Sequence, residues 1–194
     1  PLDRLLRIQD MDGNIVKQYD YNYQRLVYPA YSTAQSGTFT RSNCGTGYIA
    51  GTYTYTVPAG KYRSYSGVSD ANQQALAEIA ANGQHYADSL GTCYIQITIN
   101  NIGSIGGFTA VYTNLNNTSI HYSFSLPTTN GNVGLLPAGL GNWKLVISKS
   151  GNTTSYTFDS GCGVNPVYGT SATFSSVPVS TTNCNTILLS NRPF

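Results

Sequence analysis

The stretch Cys93-Tyr94-Ile95-Gln96-Ile97-Thr98-Ile99-Asn100 decides the fold class of most of this chain. Isoleucines alternate with polar residues, and a period of two is typical of a strand with one buried and one solvated face. Turn-forming runs of Gly, Asn and Pro then separate further segments at spacings of roughly ten residues. We therefore predict that residues 94–194 form an all-β sandwich of about seven to eight strands in two packed sheets. Its inward-facing residues are predicted from the same alternation: Ile95, Ile97, Ile99, Ile120, Tyr122, Phe124, Leu126, Trp143, Leu145, Ile147, Tyr156, Phe158, Phe174, Ile187 and Leu189.

Residues 29–93 combine strand-like alternation with one helical segment. Alternating runs at 37–40 and 51–57 predict strands, and Pro58-Ala59-Gly60 predicts a turn. A helix is predicted over about 70–90, with Asp70 and Gln73 as its capping box and Gly91 at its end. Its buried stripe is predicted from helical spacing to be Leu76, Ile79, Ala80, Gly83, Ala87 and Leu90. Because a mid-helix glycine costs about 1 kcal/mol, Gly83 indicates close approach to a sheet or an aromatic ring.

The first 28 residues are predicted to contain a hairpin. Two β-prone runs, 5–9 and 15–21, flank the turn-like sequence Asp10-Met11-Asp12-Gly13-Asn14. This sequence is also rich in oxygen ligands, which raises the alternative of a calcium loop. It lacks the third ligand before Gly and the distant bidentate Glu of an EF-hand, so we favour a plain turn. The whole chain is thus predicted to be mainly β, in three parts: a hairpin at 1–28, a small α+β module at 29–93 and a sandwich at 94–194.

Charge is scarce and shows no pattern for a polyanionic partner. Only 9% of residues are charged and the net charge is +2, against about 25% charged residues in an ordinary soluble domain. Nucleic acid and anionic membranes require clustered Lys and Arg, so we expect neither as a partner. Apolar runs are too short for membrane insertion, and no signal peptide opens the sequence. Since the chain begins at Pro1 inside a strand-like pattern, we expect it to be a fragment of a larger protein.

Four cysteines, Cys44, Cys93, Cys162 and Cys184, favour disulfides. Three pairings are possible, and the predicted boundaries favour Cys44 with Cys93 and Cys162 with Cys184. A zinc site is the competing interpretation, but no two cysteines have the short spacing of a zinc knuckle, and no His lies beside them. Reduced, buried thiols are the third alternative. Disulfides predict an oxidising location at the cell surface or outside the cell.

Catalytic candidates are few. Glu78 is the only Glu, and we expect it on the solvated side of the helix. His85, Asp88 and Ser89 are the residue types of a hydrolase triad, but no Gly-x-Ser-x-Gly frame accompanies them, so surface and capping roles are favoured. The sequence therefore predicts no catalytic, cofactor-binding or metal-binding residues.

Two further residues and several modification signals have ordinary explanations. His121 is expected on the polar face of its strand. Cys162 has no basic neighbour that would make it a nucleophile. Asp88-Ser89-Leu90 resembles a bacterial O-glycosylation acceptor, and Asn116 and Asn152 lie in Asn-x-Thr sequons. We give these signals little weight.

Three segments resemble known bacterial families. Leu2-Asp3-Arg4-Leu5, Asp12-Gly13-Asn14 and Tyr19-Asp20-Tyr21 are similar to the closing unit of YD-repeat (rearrangement-hotspot) proteins, which are large secreted or surface shells of repeated hairpins. The pattern from Thr40-Arg41 and Asn43-Cys44-Gly45 to Gly91-Thr92-Cys93 resembles a short extracellular domain of unknown function that is often found beside such repeats. The sandwich resembles, in position, size and composition, the sorting domains of the type nine secretion route.

These resemblances imply a non-catalytic, carboxy-terminal region of a large secreted protein of a Gram-negative bacterium. Its sandwich would be recognised by the outer-membrane export machinery, and no cofactor is expected. An adhesin or glycan-binding module is the alternative, because 12 of the 16 tyrosines precede residue 95 and clustered Tyr is common on recognition surfaces. Packing of these tyrosines on the helix is the simpler explanation. Part of a YD-repeat toxin is the third possibility, and it would require a catalytic cluster.

Overall fold

The computed structural model describes residues 7–13, 15–18, 28–163 and 165–191. This part of the chain contains one helix and sixteen strands, and it is mainly β as predicted. The helix α1 spans Val68–Leu90. The strands are β1 (Arg7–Gln9), β2 (Ile15–Gln18), β3 (Ala30–Tyr31), β4 (Gln35–Thr40), β5 (Ile49–Ala50), β6 (Thr52–Val57), β7 (Arg63–Ser64), β8 (Cys93–Ile102), β9 (Thr109–Asn114), β10 (His121–Ser125), β11 (Gly131–Pro137), β12 (Trp143–Ser148), β13 (Tyr156–Asp159), β14 (Val167–Gly169), β15 (Ala172–Val177) and β16 (Thr186–Ser190).

The predicted hairpin near the amino terminus is present. Strands β1 and β2 pair antiparallel. Between them, the Gly13 amide donates to the Asp10 carbonyl at 3.1 Å, and the Asp12 amide donates to Asp10 Oδ1 at 3.0 Å. The Asp10 carboxylate thus closes an Asx turn, which is the plain turn that the sequence favoured. The other residues behind the YD-repeat resemblance, at 2–5 and 19–21, and Asn14 of the turn lie outside the described residues.

The β-sandwich has two sheets. One has the strand order β10-β9-β12-β15, and the other has the order β11-β8-β16-β13-β14 with β5 joined to β8. Nine strands between residues 93 and 190 form it, against the predicted seven to eight. The alternating runs behind the prediction contain no residue of β9, β11 or β14. The short β14 has only three residues, glycines at 131 and 134 hide the alternation of β11, and β9 was not recognised although Ala110 and Tyr112 alternate in it.

One hydrophobic core lies between the two sheets. Its fully buried side chains alternate along the strands, as the sequence predicted, and they include Ile97, Leu145, Ile147, Ile187 and Leu189. Aromatic rings fill its volume: Phe108 meets Phe158 edge to face with ring centroids 5.4 Å apart. Burial of these apolar side chains, at roughly 1.5–3 kcal/mol each, is the main force that holds the sandwich together.

In the small module, α1 packs on the hairpin formed by β4 and β6. The contact is reciprocal, because each element presents a glycine to a large side chain of the other. A Cβ on Gly37 of β4 would lie 2.6 Å from Ile79 Cγ2 of α1, and a Cβ on Gly83 of α1 would overlap the ring of Phe39 on β4. The predicted role of Gly83, close approach to an aromatic ring, is confirmed.

Two details of the predicted helix are wrong. The helix begins at Val68, after Gly67 as N-cap, and Asp70 makes no cap; its carboxylate instead accepts from the Gln74 amide at 3.2 Å. The buried stripe is also narrower and shifted, because a two-stranded hairpin covers little of the helix surface. Leu76 and Leu90 are 48% and 58% exposed, Ala80 is exposed as well, and the buried positions are Ala71, Ala75, Ile79, Gly83 and Ala87.

The Gly83→Ala substitution is expected to lower the free energy of unfolding of the small module by about 1–3 kcal/mol. Overpacking against Phe39 outweighs the helix propensity that alanine gains. Helix ellipticity during urea unfolding measures the effect. Combining Gly83→Ala with Phe39→Leu should recover part of the loss; a stabilised Gly83→Ala protein would show that the ring moves aside without cost.

Two disulfides brace the molecule, in the pairing that the predicted boundaries favoured. Cys44 is bonded to Cys93 with their Cα atoms 5.7 Å apart, and Cys162 is bonded to Cys184 at 4.4 Å. The small module is also joined to the sandwich, since Ile49 of β5 pairs with Tyr94 of β8. The boundary predicted at 93/94 therefore falls inside β8. Among the described residues, no helix has the length and apolar character needed to span a bilayer.

Candidate functional site

Glu78 is the centre of a polar cluster, which we call the Glu78 cluster, with Tyr55, Lys61 and Tyr62. The Tyr55 hydroxyl donates to Oε1 at 2.6 Å and the Tyr62 hydroxyl donates to Oε2 at 2.7 Å. The Lys61 ammonium lies 2.6 Å from each carboxylate oxygen. Only 10% of the Glu78 side chain is exposed, so the prediction of a solvated Glu78 is wrong. The long Tyr55 side chain reaches from β6 to the helix, and spacing along the helix alone could not show this.

The cluster changes the ionisation of its members. Hydrogen bonds from Lys61, Tyr55 and Tyr62 lower the pKa of Glu78 to about 2, because they stabilise the carboxylate. The hydrogen bond to Glu78 raises the pKa of Tyr55 to about 12, since an ionised Tyr55 would face a negative charge. The Tyr55 hydrogen bond ties α1 to β6, and the Lys61 ion pair ties α1 to the segment after β6.

The Glu78→Gln substitution is expected to reduce the acid sensitivity of the small module. In the unfolded chain Glu78 takes up a proton near pH 4.5, whereas in the folded protein it does so near pH 2. The stability that it contributes is therefore complete above pH 4.5 and is lost as the pH falls toward 2. Melting temperatures of the wild type should fall across this window, and those of the Glu78→Gln protein should fall less.

Asp88→Asn is a second variant for comparison, because the pKa of Asp88 is also lowered, chiefly by the hydrogen bond from the Ser42 backbone amide. The double variant should be flatter across the window than either single variant. Parallel melting curves for wild type and Glu78→Gln would contradict the assignment.

A cavity of about 250 Å³ opens at one end of the sandwich. We call it the sandwich-end cavity. Its lining includes Ile95 of β8, Trp143 of β12 and the turn that connects β11 to β12, together with Val179 beyond β15. The sequence did not predict this cavity, because three segments that are distant in the chain form it. The only sequence signal is the Gly139-Leu140-Gly141-Asn142 run, which is typical of any tight turn.

Exposed tyrosines gather on the small module beside β3 and β7. Tyr28, Tyr31 and Tyr65 are 81%, 54% and 65% exposed, and we call them the tyrosine patch. Tyr31 pairs with Arg63 across the two strands, and Tyr65 directly follows β7. Other tyrosines follow the simpler prediction and pack on the helix: the ring centroids of Tyr55 and Tyr86 are 4.8 Å apart.

The triad residue types at the end of α1 do not converge. The Asp88 carboxylate accepts from the Ser42 amide and hydroxyl at 2.6 Å and 2.9 Å. The Ser89 hydroxyl donates to the His85 carbonyl at 3.0 Å, and the His85 ring contacts Tyr86 edge to face. Ser89 therefore makes a local helix contact, and Asp88 ties α1 to the segment after β4.

The remaining candidates are also placed. His121 is exposed on β10, as predicted. Cys162 is in a disulfide, and both sequon asparagines use their side-chain amides to hold loops: Asn116 Nδ2 donates to Leu140 O at 3.3 Å and Asn152 Nδ2 to Thr170 O at 2.9 Å. Within the described ranges, no group of three or more His, Cys, Asp or Glu side chains could hold a metal ion.

Comparison with known proteins gives a match to a family model. Residues 30–94 match the model of a family of unknown function (DUF5977). The matched span, about a third of the chain, runs from the start of β3 to the second residue of β8 and includes both Cys44 and Cys93. No curated protein and no solved structure matches the chain.

Proposed function

We propose that this chain is a non-catalytic region of a large secreted surface protein of a Gram-negative bacterium, and that its β-sandwich is recognised by the type nine export machinery. The observation that carries the proposal is the separate core of the sandwich. The buried clusters of the sandwich and of the small module share no residue, and the sandwich has its own disulfide. A sorting domain must be such a folded unit, because the export machinery has to recognise it independently of the protein that it carries.

The disulfides and the surface composition support this proposal. Two disulfides indicate an oxidising environment. The sandwich surface is coated by uncharged polar side chains, and between residues 94 and 191 only Lys144, Lys149 and Asp159 are charged. A disulfide-bonded sandwich with few charged residues is compatible with export and with an extracellular location.

Export of a reporter tests the proposal. The whole chain is fused behind a passive periplasmic protein and expressed in a host that has the type nine apparatus and in the same host without it. We expect the reporter at the surface or in the medium of the first host, and in the periplasm of the second. A reporter that stays periplasmic in both hosts would contradict the proposal.

The tyrosine patch favours a second candidate, a glycan-binding or adhesive role. Tyrosine rings that are more than half exposed in adjacent segments offer apolar faces and hydroxyls to a sugar chain. Glycan-array binding by the whole chain should be lost in a Tyr31→Ala, Tyr65→Ala double variant. Tyr168→Ala is the matched control, because Tyr168 is 61% exposed but lies on β14 of the sandwich. Equal binding by all three proteins would show that the tyrosine patch does not bind the glycan.

A further inference from the structure

The sandwich-end cavity has walls that are apolar at depth and polar at the rim. Ile95 and Trp143 are 4% and 1% exposed, so only small parts of them are in contact with solvent. Pro137, Leu140 and Val179 add further apolar surface and are partly exposed. This combination of an apolar interior and a few polar groups is typical of small-ligand sites.

Polar groups at the rim come from one tight turn. Asn142 supplies an exposed side-chain amide. Gly139 and Gly141 have φ angles of 79° and 82°, a region that favours glycine, and their peptide groups are not covered by side chains of their own. A Cβ on Gly139 would have no heavy atom within 4 Å, whereas one on Gly141 would lie 2.8 Å from Asn116 Nδ2, so the uncrowded part of the rim is at Gly139. The rim can therefore offer both donors and acceptors to a ligand.

The turn is held in place before any ligand arrives. The Leu140 carbonyl accepts from Asn114 Nδ2 at 2.7 Å, and the Leu115 amide donates to the Asn142 carbonyl at 3.0 Å. The Asn142 side-chain amide donates to Ser176 Oγ at 3.1 Å, which fixes its orientation. A preformed site loses little conformational entropy on binding, so a small ligand can bind without reordering the loop.

The lining also defines the charge of the ligand. Every residue that lines the cavity is uncharged. A carboxylate or phosphate would find no ionic partner there, and desolvating it would cost free energy. A neutral ligand with an apolar face and polar edges fits best. A sugar ring has this character, since its C–H groups lie on its faces and its hydroxyls lie around its edge.

From these features we infer that the sandwich-end cavity binds a single neutral sugar residue. The inference deepens the glycan-binding candidate and rests on it, but it assigns a site that is separate from the tyrosine patch. A peptide is the competing occupant. Peptides that dock on sheets use an open strand edge. The edge strands β11 and β15 end at the cavity, but the lining residues there are Pro137 and Pro178, which lack the backbone N–H that an added strand would need. This favours the sugar.

Trp143 provides a direct measurement, because it is the only tryptophan of the chain and it lines the cavity. Its fluorescence, excited selectively over tyrosine, is followed while the whole chain is titrated with the methyl glycosides of glucose, galactose, mannose and N-acetylglucosamine. We expect a saturable change with at least one of them. Glucuronate is the charged comparison and should give none. An acetylated Ala-Pro-Pro amide tests the peptide alternative.

Two variants address the cavity and one is the control. Val179→Phe should abolish the saturable change by filling the cavity, and Asn142→Ala should weaken binding about tenfold by removing a rim hydrogen bond. Asn132→Ala should bind as the wild type does, since Asn132 is exposed on β11 and does not line the cavity. Asn142 is exposed, so the Asn142→Ala protein should fold. It therefore tests the cavity even if Val179→Phe fails to fold.

The outcomes separate this inference from the proposed function. No saturable change with any glycoside, undiminished binding by both cavity variants, or binding of the peptide alone would each overturn it. The Tyr31→Ala, Tyr65→Ala variant should keep the Trp143 response even where it loses array binding. If array binding depends on the tyrosines and Trp143 fluorescence does not change with any glycoside, the glycan-binding candidate stands and the cavity is not a sugar site.

Discussion

Replacing Cys44 and Cys93 together with alanine is expected to lower the free energy of unfolding of the small module by about 4 kcal/mol. The disulfide closes a loop of 49 residues, and in the loop-entropy model a cross-link of that span restricts the unfolded chain by about this amount. The module has little else to hold it, because its buried hydrophobic cluster consists of Val57, Ala75 and Ile79 with partly buried rings around them. Small cores of this kind depend on cross-links.

Two probes separate the two parts of the molecule in a guanidinium titration. Helix ellipticity reports the small module, since α1 is the single helix of the described residues, and Trp143 fluorescence reports the sandwich. The matched control is Cys162→Ala with Cys184→Ala, which opens a loop of 22 residues and should cost the sandwich about 3 kcal/mol. A helix transition that stays within about 1 kcal/mol of wild type in the Cys44–Cys93 variant would contradict the prediction.

The Leu145→Ala substitution is expected to destabilise the sandwich by about 3 kcal/mol. Leu145 is fully buried on β12, between Tyr112 of β9 and Phe174 of β15. Removing its three terminal carbons loses the transfer free energy of those groups and leaves a void that rigid aromatic neighbours cannot close.

Val146→Ala is the matched control for this substitution. Val146 is the next residue on β12, so its side chain points to the opposite, partly exposed face of the sheet. We expect a loss of about 1 kcal/mol or less, measured by Trp143 fluorescence in urea. Equal losses for Leu145→Ala and Val146→Ala would mean that the two faces of β12 are not distinguished by burial.

The local features of the fold were predictable from the sequence. Alternation has a period of two wherever a strand separates core from solvent, so Ile97, Leu145 and Leu189 marked the sandwich interior without any knowledge of their partners. Gly83 marked the close approach of helix and hairpin, because glycine in a helix is costly unless the space is needed. The cysteines could be paired because each loop lies within one predicted part of the chain.

The candidate sites were not predictable in this way. Glu78 has the sequence surroundings of a solvated helix residue, and its burial depends on side chains that come from β6 and the turn after it. The sandwich-end cavity combines segments more than 80 residues apart, between Ile95 and Val179. Leu76 and Leu90 were assigned to the buried stripe because periodicity counts apolar residues and cannot show how wide the covering hairpin is.

By itself, the sequence determined that the protein is a mainly β chain with one helix, a neutral polar surface and two disulfides. These properties follow from periodicity, composition and the position of cysteines, all of which act over a few residues or within one part of the chain. Only the tertiary structure decided where Glu78 lies, which tyrosines remain exposed and where a cavity opens. The physical reason is that a buried polar group or a cavity is defined by the atoms that surround it, and here those atoms come from strands that only folding brings together.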